Sequence, residues 1–309
     1  MPSQPVPLRI IAFPGAPNLP TFAALAKGFF EAENLAVELT LTPSSVAQAE
    51  RTAAGEFDVV FTAFDNVVAY GEGQGAAPVD PEYAAIMGAT QLELSVVAQP
   101  EIKSFAELRG RTVALDALST GFAFVLYEML ARAGVDPADI RFVAVGATPQ
   151  RWQSVKGGEH AATLTIEPFT SIAQKAGFNV LGRSTDIFEA YQGGSIAVRR
   201  SWADANRQTV LAFVRAYRKG LDWVLDPANR QEATSILRER MPEIQSGALD
   251  AVMNSLLSPR SGLTPDGVLL PDGIRQVLAL RSRYGKGGGT LGDPGKYLDP
   301  SYLKAATDD

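Results

Sequence analysis

The strongest constraint on this chain is the order in which its apolar periods occur. Up to residue 90, short apolar runs of strand period alternate with stretches of helical period. Leu8 to Phe13 is an apolar run stopped by Pro14-Gly15. Phe22, Leu25, Ala26, Phe29 and Phe30 then fall on one face of a helix over 20–30. Strand signals follow at 35–41, 57–61 and 83–87. Between them a helix capped by Ser44 or Ser45 runs to Ala54, and Asp65 is placed to cap a helix over 66–71. The alternation then repeats: strands at 93–98, 111–115, 140–145, 161–166, 178–181 and 195–198, and helices at 104–108, 121–133 and 167–176. The first of those helices opens on a Ser104/Glu107 capping box. From 201 the pattern is helical, with helices predicted at 201–225, 229–240, 246–257 and 272–284, punctuated by Pro227, Pro242 and Pro271. Strands alternating with helices build mostly parallel sheets covered on both faces. Two similar blocks therefore predict two α/β lobes.

Composition narrows the chemistry. The 309 residues contain no cysteine and one histidine, His160. Thiolate nucleophiles, Cys-ligated zinc, Fe–S clusters and disulfides are excluded, and a Ser-His-Asp arrangement would have to use His160. His160 lies in Gly157-Gly158-Glu159-His160, a turn before a strand, and reads as an exposed polar residue. Lys and Arg number 28 against 34 Asp and Glu, a net charge of −6. No cationic excess is available to displace counterions from nucleic acid. No apolar run is long enough to span a bilayer. The Pro-rich start over 1–7 lacks the basic and apolar regions of a leader and reads as an extended lead-in. That leaves a cytoplasmic protein or one whose leader has been removed.

Ligands of open parallel sheets bind outside the carboxyl ends of the strands. Five loops occupy that position. One carries Asn18, after the first strand. A second carries Phe64, Asp65 and Asn66, where Phe64 could stack on a planar ligand. A third carries Thr90 and Gln91. A fourth runs Asp116-Ala117-Leu118-Ser119-Thr120-Gly121, where Ser119, Thr120 and the free N–H groups of the helix start can hold an oxygen. The fifth carries Glu167. Gly71-Glu72-Gly73-Gln74-Gly75 has phosphate-loop composition but follows a helix, so it lacks the strand–loop–helix context. These loops supply hydroxyls, amides and aromatic rings rather than a catalytic set, which is what a binding cleft needs. Substitution of Asp65 or Phe64 by Ala is expected to weaken ligand binding and spare the fold.

Several segments resemble the periplasmic solute-binding proteins of ABC importers, in the branch that takes up nitrate, sulfonates, taurine and thiamine-precursor pyrimidines. They are Leu25-Ala26-Lys27-Gly28-Phe29-Phe30 with Leu35-Ala36-Val37-Glu38, then Gly55-Glu56-Phe57-Asp58-Val59, and Ser104-Phe105-Ala106-Glu107-Leu108-Arg109-Gly110-Arg111. Gly158-Glu159-His160-Ala161-Ala162, Glu167-Pro168 and the helix from Val210 through Trp223 complete the set. Their order and spacing, over nearly the whole chain, carry the resemblance. It implies a type II two-lobed fold with two mostly parallel sheets and two hinge crossings, placed at 93–98 and 195–198. The first lobe would comprise 8–92 plus 199–309 and the second 93–198, with the helices after 201 packed on the first. It also implies a non-enzymatic periplasmic receptor, monomeric, with no cofactor and no metal, that delivers a small molecule to a membrane permease. The chain departs from the branch in two respects. His160 stands in the turn where the family often has aspartate. Asp65 with no arginine in the candidate loops (Arg183 is the nearest) disfavours sulfonate and nitrate and leaves room for a neutral, aromatic or aminopyrimidine ligand. Two other readings compete. One is an enzyme on the same fold, of menaquinone-pathway or thiamine-pyrimidine-synthesis type; the other is a regulatory effector-binding domain.

Overall fold

The computed structural model describes residues 4–91 and 93–308. The expected lobe limit at 92 and the first three residues of the lead-in lie outside them. Among these described residues ten strands form two five-stranded sheets. In the first, β1 (Val6–Ala12), β2 (Leu35–Leu41), β3 (Val59–Ala63), β4 (Tyr83–Thr90) and β10 (Gly194–Arg199) are ordered β2-β1-β3-β10-β4. In the second, β5 (Ser95–Ala98), β6 (Thr112–Leu115), β7 (Arg141–Ala144), β8 (Ala162–Thr165) and β9 (Asn179–Arg183) are ordered β7-β6-β8-β5-β9. Strand β1 pairs parallel with β2 and β3, Ile10 lying opposite Leu39 and Val59. Only β10 runs antiparallel to its neighbours in the first sheet, and only β5 in the second. Each of these strands is the first that the chain enters after passing from one sheet to the other.

The segment 195–198, expected as a crossing inside the second lobe, is therefore the middle of β10 in the first sheet. The passages between the sheets are the stretches that lead into β5 and into β10. They brace each other: Ser184 N–H donates to the Leu94 carbonyl at 2.8 Å and Leu94 N–H to Ser184 Oγ at 2.9 Å.

The long helix Arg207–Leu225 lies over the first sheet, where Phe213 and Tyr217 meet the Phe61 ring edge-on at 6.3 and 5.6 Å. Two predicted helices are each broken in two. The one over 20–30 becomes Leu19–Ala26 and Phe29–Ala32, because Gly28 takes a φ of 70°, open to glycine at little cost. The one over 201–225 becomes Arg200–Ala205 and Arg207–Leu225. Two further helices, Thr148–Lys156 and Ser301–Thr307, were not expected from periodicity. The lead-in is also shorter than predicted, since Val6 and Pro7 belong to β1.

The helices after 201 were expected on the first lobe alone. Helix Pro271–Tyr284 instead packs between the two sheets' helices. Its Ile274, Val277 and Leu278 join one continuous buried cluster with Phe64, Val67 and Val68 on one side and Phe124 and Leu126 on the other. This shared core forms the back wall of the space between the sheets.

Candidate functional site

A cavity opens between the carboxyl edges of the two sheets, with about 90 Å³ open to the centres of water molecules. That is several times the 10–15 Å³ one water requires. The first sheet contributes Phe13, Pro17 and Asn18 after β1, Phe61, Thr62 and Asn66 around the end of β3, Thr90 at the end of β4, and Gly194 and Ser195 at the start of β10. The second contributes Asp116, Thr120 and Phe122 after β6, Thr148 and Arg151 after β7, and Ile166 after β8. The wall is mainly apolar, with a few polar groups set into it.

Five of the residues singled out from sequence lie on this wall. Asn18 Nδ2 donates to the Phe13 carbonyl at 2.8 Å, and Asn66 Nδ2 to Thr62 Oγ1 at 2.9 Å. Thr120 is the N-cap of helix Gly121–Arg132, its hydroxyl accepting from Ala123 N–H. Thr90 is 2% exposed, and its hydroxyl has no partner among the described residues. Asp116 accepts the Ser45 N–H with both carboxylate oxygens at 3.2 Å. Ser45 opens helix Ser45–Ala53, so this bond ties the helix after β2 of the first sheet to the loop after β6 of the second; Ser44 caps that helix. Ala147 N–H to the Pro43 carbonyl (2.8 Å) and Ala16 N–H to the Glu167 carbonyl (3.2 Å) join segments of the two sheets at two further points.

Six of the singled-out residues lie off this wall. Phe64 is fully buried in the shared core, and the aromatic residues that line the cavity are Phe13, Phe61 and Phe122. Gln91 binds the Pro259 carbonyl. Asp65 does not cap its helix, which starts at Phe64 with Ala63 as N-cap. It is 1% exposed and paired with Arg281, Nε to Oδ1 at 2.7 Å and Nη2 to Oδ2 at 2.5 Å. Arg281 also donates to the Ser119 carbonyl at 2.9 Å and to Gln74 Oε1 at 3.2 Å, and lies over the Phe124 ring at 4.8 Å. Gly121 is packed on this pair; a Cβ there would lie 2.4 Å from the Asp65 Cβ. Glu167 faces a smaller adjoining pocket, and Arg183 is engaged by Glu93 at 2.9 Å. His160 lies in a separate surface hollow with Arg111 and Arg141.

Arg151 is the residue that sequence reasoning missed. It is 3% exposed. Its Nε donates to Thr163 Oγ1 (3.1 Å), Nη1 to the Gly146 carbonyl (2.7 Å), and Nη2 to Thr148 Oγ1 and the Leu164 carbonyl (both 3.0 Å). Four of its five N–H groups are thus held by neutral oxygens, leaving one. Among the described residues no carboxylate pairs with it. Burial draws its pKa down to about 10, opposed by the charge of Asp116. A buried charge without a counter-ion is costly, and this one borders a cavity. The strand-edge rule that selected the other loops applies after β7 as well. Helix Thr148–Lys156 hid it, because its polar sequence carries no apolar stripe.

Both objections to an anionic ligand thereby fall. Asp65 is neutralised by Arg281 away from the cavity wall, and an arginine does line it.

Two mixed sheets flanked by helices, with a cavity between their carboxyl edges, define the two-lobed periplasmic-binding-protein fold. Residues 17–230 match the family described as NMT1/THI5 like, and the chain belongs to that family. Over 147 residues it is 22% identical to the nitrate/nitrite binding protein NrtA of Synechococcus elongatus, covering 45% of this chain and 33% of that protein. The chain thus spans about a third of the length of the curated relative it matches. The periplasmic nitrate-binding protein NrtA from Synechocystis PCC 6803 superposes with a TM-score of 0.79 at 13% identity, over 98% of this chain and 88% of that one. The alkanesulfonate-binding protein SsuA from Xanthomonas axonopodis pv. citri, bound to MOPS, superposes with a TM-score of 0.72 at 15% identity, over 91% and 93%. A DSZB mutant in complex with biphenyl-2-sulfinic acid shares the fold at a TM-score of 0.65 and 13% identity, over 97% and 99%.

Proposed function

We propose that this protein is an extracytoplasmic receptor of an ABC-type importer, which captures a small anionic solute between two lobes and passes it unchanged to a permease. The first lobe would comprise the sheet containing β10 and the helices that follow it; the second would comprise the sheet β5–β9. The carrying observation is Arg151, a buried guanidinium that no carboxylate bonds among the described residues and that keeps one uncommitted N–H, on the wall of a mainly apolar cavity whose one carboxylate, Asp116, is engaged by the Ser45 N–H. A singly charged oxyanion supplies the missing counter-ion there, and a charge-assisted hydrogen bond of this kind contributes about 1.5–3 kcal/mol. The aromatic wall receives an apolar body. The three bonds between segments of the two sheets, at Ser45, Ala147 and Ala16, hold the lobes closed over it, and opening breaks them. The family membership and the named functions of the similar proteins support the receptor role rather than turnover.

A thermal-shift screen tests this reading. Small carboxylates and sulfonates with apolar bodies are expected to raise the melting temperature, and their uncharged amide counterparts are not. A ligand at 100 times its Kd adds about 2.7 kcal/mol of stability. Equal responses to acids and amides would refute an anion receptor.

A further inference from the structure

A second, smaller pocket of about 20 Å³ adjoins the main cavity, and Pro17, Thr90 and Ile166 line both. At 10–15 Å³ per water, it has room for one or two non-hydrogen atoms. Two carboxylates border it, Glu93 and Glu167. Glu93 is paired with Arg183. Glu167 accepts only the N–H and hydroxyl of Ser171, at 3.2 and 3.0 Å, and no cation pairs with it among the described residues. Thr90, 2% exposed, presents the buried hydroxyl that has no hydrogen-bond partner. Buried polar groups are normally satisfied. Here a carboxylate with no cation paired to it and a buried hydroxyl without a partner belong to residues that border one small space. Burial above all, with the charge of Glu93, pushes the Glu167 pKa up against the Ser171 bonds and the charge of Arg183.

Resting on the receptor reading above, we infer that this side pocket takes an amine or ammonium group at the far end of the same ligand, with Glu167 as its counter-ion and Thr90 Oγ1 as its second acceptor. The ligand class is then an amino acid whose charges are separated by an apolar body. Arg151 lines only the main cavity and Glu167 only the side pocket, so the two charges are read at different places. An α-amino acid, whose charges share one carbon, does not meet both. Thr90 belongs to the first sheet and Glu167 to a loop of the second, so the donor also ties the lobes together.

The test uses the full chain and matched acids, titrated by calorimetry: 4-aminobutyrate against butyrate, 6-aminohexanoate against hexanoate, and 4-(aminomethyl)benzoate against 4-methylbenzoate. In at least one pair the aminated member is expected to bind about tenfold tighter, the worth of one charge-assisted bond. Glu167→Gln is expected to erase that gap. Thr90→Val, a milder change that serves if Glu167→Gln does not fold, is expected to narrow it. Binding of plain acids with no gap in any pair, or a gap that both variants leave intact, overturns this inference alone. Failure of every acid to bind overturns the receptor reading and this inference with it. A stabilisation by sodium chloride alone that Glu167→Gln removes would assign the pocket to an inorganic cation and overturn the amine assignment.

Discussion

Two arginines are buried among the described residues, and their surroundings differ in one respect. Arg281, 1% exposed, faces a carboxylate through two parallel bonds; Arg151, 3% exposed, faces neutral oxygens and a cavity. The first charge is complete within the protein. It joins helix Phe64–Gly71, helix Pro271–Tyr284 and the Ser119 carbonyl into a fixed back wall. The second is incomplete, and what would complete it has to come from outside. Burial alone, then, does not distinguish a structural charge from a binding one. The presence of an internal counter-ion does.

The largest expected effect breaks the complete pair. Asp65→Ala leaves Arg281 buried and unpaired, and should cost about 3–5 kcal/mol of stability, read from urea unfolding. The same change combined with Arg281→Met should recover most of that loss, since an apolar replacement of both partners is often neutral. This reverses the expectation drawn from sequence, in which Asp65→Ala spares the fold and weakens the ligand.

The incomplete charge should respond in the opposite sense. Arg151→Met is expected to lower affinity for the best acid of the screen by about 2–5 kcal/mol, as truncating one member of a buried charge pair does. Calorimetry on the variant, with folding checked by circular dichroism, reads this out. Unchanged affinity would remove the distinction between the two arginines.

A smaller effect comes from the apolar wall. Phe122 is half-buried and lines the cavity. Phe122→Ala should weaken an acid with an aromatic body by about 1 kcal/mol, a fraction of the 1.5–3 kcal/mol of a fully buried ring. Its effect on nitrate should be far smaller, which separates the wall's contribution from that of Arg151.

The smallest effect is a pH dependence. Burial raises the pKa of Glu167 in the folded protein above its ordinary value. As pH falls through the folded pKa towards the unfolded one, the folded state takes up its proton first, so this group's contribution to stability rises. Above the folded pKa both states are ionised and the burial cost is felt in full. Glu167→Gln should therefore melt higher than the parent at pH 7 in the absence of ligand, and the difference should shrink as pH falls towards 4.5. A difference that grows on acidification would show that Glu167 is stabilised as a carboxylate.

Local pattern carried much of the fold and part of the wall. The places of most strands along the chain were readable because a sheet covered on both faces demands continuous apolar runs such as Val59-Val60-Phe61. Asn18, Asn66, Thr90, Asp116 and Thr120 could be named because the carboxyl ends of parallel strands converge on one edge, and all five line the cavity. The pairing of Asp65 was illegible because Arg281 lies 216 residues away, beyond the reach of any local period. Arg151 escaped because its helix is polar and its burial depends on Thr163, Leu164 and Gly146, which only the folded sheet brings to it. The role of β10 was misread because a strand's run looks the same whichever sheet accepts it. Its place between β3 and β4 is fixed by tertiary pairing.

The most direct test is a crystal structure of the protein with the tightest-binding acid from the screen. A carboxylate or sulfonate oxygen within hydrogen-bond distance of Arg151 Nη1, with Asp65 still paired to Arg281, is the expected result. An acid group bound at Arg183 or at the Arg281 side of the back wall, with the Arg151 guanidinium left without a counter-ion, would contradict the assignment of the two charges.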